Sequence, residues 1–141
     1  MKIFVDVIDA KNNCYAGLLL VGDKEQIYYR NSFKLETKDK KNASILVISR
    51  AMSFIQHTQP LHCKDKLDVF NNFICKEDLE QNLYTKRFLV NKVYKLDESK
   101  IENRSYVNVN YVNEVKNLTK INYRQYYIDE YLNRKVDKVL K

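Results

Sequence analysis

Apolar and polar positions along this chain form short blocks whose spacing predicts an α/β order of elements. Ile3-Phe4-Val5-Asp6-Val7 is an apolar run with one carboxylate set into it, the pattern of a buried strand. Cys14 to Val21 is a second apolar run, with Gly17 inside it as the mark of a bulge or of a close backbone approach. Gly22-Asp23-Lys24 reads as a hairpin turn. Glu25 to Leu35 then reads as a third strand, with Ile27, Tyr29, Phe33 and Leu35 on its buried side. After the charged loop Glu36 to Lys41 the period changes. Asn42 is the expected N-cap of a helix from Ala43 to about His57. Ile45, Ile48, Met52 and Ile55 make its stripe, which Leu46, Val47, Ala51 and Phe54 widen to the breadth of a face packed on a sheet.

Pro60 ends that helix, and Lys66 to Phe70 reads as a fourth strand closed by Asn71-Asn72. Lys76 to Tyr84 is expected to be a short helix. Lys86 to Asn103 is basic and mixed, without a clear period. Tyr106 to Tyr111 alternates tyrosine and asparagine with valine, as a strand with one wet face does, and reads as the fifth strand. Ile121 to Leu140 is expected to be a long helix buried along Ile128, Leu132, Val136 and Val139. The fold class is therefore α/β: a five-stranded mixed sheet, three antiparallel strands followed by strands four and five, flanked by helices. No repeat or composition shift divides residues 1–141, and that length fits one domain with a real core.

Composition adds exclusions. Two glycines and one proline leave no glycine-rich phosphate loop, which argues against nucleotide folds built on such loops. Cys14, Cys63 and Cys75 are odd in number and form no C-x-x-C. His57 and His62 do not stand at finger spacing, so neither a disulfide framework nor a structural zinc site is expected. No apolar run is long enough to span a membrane, and Asp6 and Asp9 interrupt any signal-peptide pattern. The expected location is intracellular, either cytoplasmic or as a viral or phage protein in a host cell. The net charge of +7 favours polyanionic partners, nucleic acid first and acidic protein or lipid surface second. Tyr28, Tyr29, Tyr123, Tyr126, Tyr127 and Tyr131 lie among Arg30, Arg124 and Arg134. That mixture suits base stacking, although most of these rings read as core or interface residues.

Several stretches resemble the type 1 ribonuclease H family. Ile3-Phe4-Val5-Asp6 is similar to its first strand, which carries a catalytic Asp. Lys41-Asn42-Ala43-Ser44-Ile45 is similar to the motif opening its first helix. Lys66 to Asn72 is similar to its fourth strand, and Ile128-Asp129-Glu130-Tyr131-Leu132 to a pattern in its last helix. The resemblance implies a ribonuclease H-like fold and a site of four carboxylates around two divalent cations, which clamp the attacking water and the leaving oxygen of a phosphodiester. Carried over, Asp6 and Asp129 match two of these carboxylates, with Asp137 a rival to Asp129. The other two positions fall on Ser44 and on Asn72, or on Asn71 if the register slips. Two acids would hold at most one weakly bound Mg²⁺. Lys86, Arg87, Lys92 and Lys95 lie where relatives carry a basic substrate handle, and Arg124 adds a cation on the last helix.

The resemblance thus implies a catalytically impaired domain that binds nucleic acid, such as an RNA–DNA hybrid or duplex, or binds a nucleic-acid-processing protein. Two alternatives stand beside it. One is an active Mg²⁺-dependent ribonuclease drawing carboxylates from Asp9, Asp68 or Asp129. The other is a protein-interaction module on the same fold.

Overall fold

A computed structural model describes the backbone of residues 1–58, 66–96 and 109–140; in the last segment the side chains of 111–125, 128–129 and 131–132 are described. The elements run β1 (Lys2–Ala10), β2 (Asn13–Val21), β3 (Ile27–Leu35), α1 (Lys40–Thr58), β4 (Leu67–Phe70), α2 (Lys76–Gln81), β5 (Val90–Tyr94) and α3 (Val109–Leu140). The five strands form one mixed sheet in the order β3-β2-β1-β4-β5. β1, β2 and β3 pair antiparallel, while β4 lies parallel to both β1 and β5.

Strand alternation gives the sheet two apolar faces. Ile3, Val5 and Val7 of β1 join Cys14, Ala16, Leu18 and Leu20 of β2 and Leu67 and Val69 of β4 on one face. Against them pack Ala43, Val47, Ile48, Ala51, Met52 and Ile55 of α1 and Leu79 of α2. The opposite face carries Phe4, Leu19, Val21 and Phe70, covered by Tyr111, Val112 and Val115 of α3 and by Leu96. Phe4 stacks on Phe70 at 4.6 Å and Phe70 on Tyr94 at 5.0 Å, a row of rings that ties β1, β4 and β5 together. Such ring pairs contribute about 0.5–1.5 kcal/mol each beyond their buried area.

The order of element types follows the sequence pattern, but several boundaries do not. α1 begins at Lys40, and its cap is Asp39 rather than Asn42. The Asp39 carboxylate accepts the Lys41 amide at 2.9 Å, and a negative charge there also complements the helix dipole. Leu46 is exposed and Ile45 only partly buried, while Val47 is buried as expected and Ser44 joins it on that face. Ile27, expected inside, is exposed at the start of β3, beside a register irregularity at Leu20/Val21. α2 stops at Gln81. The fifth strand is Val90–Tyr94, within the stretch that carried no clear period. Its partner is backbone: Leu67 donates to Leu89, Asn71 to Tyr94, and Leu96 back to Asn71.

Val109 to Tyr111, expected in a strand, open α3, which starts at Val109 instead of Ile121. Tyr111, Val112, Val115 and Thr119 form a three- and four-residue spacing that buries against the sheet, and this burial outweighs the local alternation. Residues 106–108 of the expected strand lie outside the described residues, as do Pro60, His62 and Cys63. The stripe expected on the sheet also differs. Ile128 and Leu132 are exposed, while the side chains of Val136 and Val139 lie outside the described residues.

Candidate functional site

Asp6 lies near the middle of β1, half-buried, on the side of the strand that carries Phe4 and faces α3. Its cross-strand partner is Gly17. The absence of a side chain there has a direct cause. A Cβ on Gly17 would collide with the Val115 carbonyl and stand 2.7 Å from the Thr119 amide nitrogen. α3 therefore sits with its backbone on β2 at this point, and the Thr119 hydroxyl donates to Val115 O at 2.9 Å and lies 3.3 Å from Asp6 O. The helix residue that meets Asp6 is thus Thr119. Sequence reasoning missed it, although Gly17 inside an apolar run was the available signal of a close approach.

Asn71 and Asn72 close β4, and Phe4 pairs with Phe70 in the parallel β1–β4 register. The pairing ends there, so Asn72 lies in the turn two residues past the paired end of β4, as Asp6 lies two residues past Phe4 on β1. Asn71 is buried and structural. Its Oδ1 accepts the amides of Phe73 and Ile74, both at 2.8 Å, and its Nδ2 donates to Ile74 O at 3.2 Å. Ser44 is fully buried on the α1 side of the sheet, the face opposite Asp6, and its hydroxyl donates back to Lys40 O at 2.8 Å. At the end of β1, Asp9 pairs with Lys40 at 3.3 Å, and the same ammonium stands 5.3 Å from the Phe73 ring centre. A fixed cation therefore bridges the end of β1, the start of α1 and the turn after β4. Burial first, and then the nearby Asp9 carboxylate, push the Cys14 thiol above its ordinary pKa.

Asp129 does not join this group. It lies ten residues beyond Thr119, about 15 Å along the helix axis at 1.5 Å per residue. There it accepts from Gln125 at 2.9 Å and lines a small recess with Tyr15, Lys34 and Asn122. The reason is the earlier start of α3, which moves its crossing of β1 toward the helix N-terminus. The side chain of Asp137 lies outside the described residues. Asp68 accepts from Asn91 at 3.0 Å and pairs in register with Lys2, toward the other end of the sheet from Asp9.

Among the described residues, no three Asp, Glu, His or Cys side chains gather closely enough to share a metal ion. An acid, an amide and a distant ammonium do not fit the oxygen-rich donor set that a pair of Mg²⁺ ions requires.

The basic residues divide. Lys86 and Arg87 are exposed in the turns after α2, with the Arg87 guanidinium 5.0 Å from the Phe88 ring centre. Lys92 and Lys95 are exposed on and just after β5, so all four lie at one edge of the sheet. Arg124 is exposed on α3, which crosses β2 and β3 toward the other edge. Arg30 of β3 is committed to an ion pair with Glu114 of α3 at 2.9 Å. Among the described residues no helix is long and apolar enough to cross a membrane.

No protein-family model matches the chain, and no curated protein is significantly similar to it. The fold class rests on the architecture itself: an α/β domain with a five-stranded mixed sheet between helices.

Proposed function

We propose that this chain is a ribonuclease H-like domain without a working cation centre, acting as a binding module for nucleic acid. One observation carries the reading. A carboxylate, Asp6, lies on the central strand of a β3-β2-β1-β4-β5 sheet, and the turn that closes the neighbouring parallel strand carries an asparagine, Asn72, where the resemblance expects the second acid. In an active enzyme of that class both positions would be acids. Here one is an uncharged amide, the other expected acid positions are Ser44 behind the sheet and Asp129 far along α3, and Lys40 already neutralises Asp9.

The binding half of the proposal is supported by the net charge of +7 and by the four exposed cations at the β5 edge. A second reading, a protein-interaction module, is favoured by Leu83, Tyr84 and Leu89. These are exposed beside the same cations, and such apolar patches mark protein contacts.

Two assays test the proposal. The purified chain, incubated with Mg²⁺ and an RNA–DNA hybrid, is expected to leave the hybrid intact. Cleavage that disappears in Asp6→Asn would overturn the reading. Binding to hybrid, duplex and single-stranded oligomers is expected at low salt and should fall steeply as salt rises, because released counterions drive it. No binding at low salt would transfer the function to a protein partner.

A further inference from the structure

α3 carries two apolar faces, and the sheet covers only one. Tyr111, Val112, Val115 and Thr119 are buried toward the sheet. Ile121, Ile128 and Leu132 are 54%, 51% and 52% exposed. At the angular step of an α-helix these three lie within about 40° of one another, and roughly 130° around the axis from the sheet-facing group. The spacing i, i+7, i+11 is that of a seam covered by another helix. With Ile121 and Ile128 in d positions, Leu118, Gln125 and Leu132 occupy a positions. The next d position is Lys135, which confines the apolar repeat to residues 118–132.

The charges on either side of the seam say what covers it. Arg124 falls on a g position and Asp129 on the e position of the next heptad, and both are exposed. In a parallel helix pair, a g residue faces the e residue five positions on in its partner. Arg124 of each copy then meets Asp129 of the other, twice by symmetry. An antiparallel pair would bring like flanks together and leave these two charges on different sides.

The exposed parts of Ile121, Ile128, Tyr131 and Leu132 amount to on the order of 400 Å², the size of the largest apolar patch on a typical monomer. With their polar flanks, two such faces approach the roughly 800 Å² per partner of a standard interface. Ile121, Ile128 and Leu132 turn away from the sheet-facing residues, while Gln125 and Asp129 border the recess against Tyr15 and Lys34 at the rim of the seam. We propose that this face docks a second copy of the chain, through parallel pairing of the two α3 helices over residues 118–132. The proposal is independent of the ribonuclease H-like reading.

The test is sedimentation equilibrium of the full chain from micromolar to submillimolar concentration. A reversible monomer–dimer equilibrium is expected. Ile128→Glu, at an exposed position, should be monomeric with an unchanged far-ultraviolet circular dichroism spectrum. Arg124→Glu and Asp129→Lys should each weaken the dimer about tenfold or more, since each sets like charges face to face. An equimolar mixture of these two variants should dimerise again, because the mixed pair restores both opposite-charge contacts. A wild-type chain that stays monomeric throughout overturns the proposal, and failure of the mixture to recover overturns the parallel arrangement. A monomeric chain whose oligonucleotide binding is lost in Ile128→Glu would assign the seam to nucleic acid instead.

Discussion

Gly17 is the residue on which the site geometry turns. It allows the α3 backbone to rest on β2 opposite Asp6, and two of the three atoms a Cβ would meet, the Val115 carbonyl oxygen and the Thr119 amide nitrogen, are backbone and cannot withdraw without moving the helix. Gly17→Ala is expected to destabilise the fold by about 2–3 kcal/mol. The melting temperature should fall by roughly 5–15 °C in a thermal scan. A neutral result would mean that α3 does not sit as described. Tyr111 offers a second check at this scale. Burial, followed by its hydrogen bonding with Glu25, pushes its pKa from 10.0 up to about 12, and its hydroxyl donates to the Glu25 carbonyl at 2.9 Å. A raised folded-state pKa means stability that is complete below the ordinary value and is lost as pH climbs through the folded one. The contribution is therefore full below about pH 10 and disappears between about pH 10 and 12. Denaturant unfolding across that range should show a smaller decline for Tyr111→Phe than for the wild type.

At the scale of elements, the turn after β4 holds the sheet's parallel half in register. Asn71 stands in for backbone there, accepting two amides and donating to one carbonyl, while its own backbone groups bond Tyr94 and Leu96. Asn71→Ala leaves buried amides unmet and is expected to cost about 2–4 kcal/mol. Asn72→Ala, at a half-buried neighbour, should cost clearly less. If equilibrium unfolding ranked the two the other way, the roles assigned to this pair would be wrong. β5 shows why an element can be hard to read. Val90–Tyr94 is an edge strand with Asn91 and Lys92 exposed and no residue fully buried, so its pattern carries little alternation. Exposed lysines also suit an edge, since they discourage pairing with another chain. α3 shows the converse. Its first turn alternates like a strand, and only the sheet below explains why it is helical.

Across the whole molecule, charge and apolar surface are distributed unevenly. One edge of the sheet gathers Lys86, Arg87, Lys92 and Lys95 with Leu83, Tyr84 and Leu89, and the outer side of α3 gathers Ile121, Ile128, Tyr131 and Leu132. The first supports the binding reading and the second the pairing of copies, so the two proposed contacts use different surfaces. Composition announced the positive charge and the tyrosines but could not distribute them. Tyr15 is buried against Tyr123, Tyr29 stacks on Phe54, and Tyr84 and Tyr131 face outward.

The amino-acid order by itself determined the α/β class, the first three strands, the body of α1, the fourth strand and the place of Asp6. These follow from apolar runs and periods, which are local properties that burial on either face leaves intact. Only the tertiary structure decided where α3 begins, which of its faces meets the sheet, that Val90–Tyr94 is the fifth strand, and that Thr119 rather than Asp129 lies over Asp6. Each of these depends on which distant segment covers a surface, through register, close approach and shared backbone hydrogen bonds, and a periodic pattern does not name its partner.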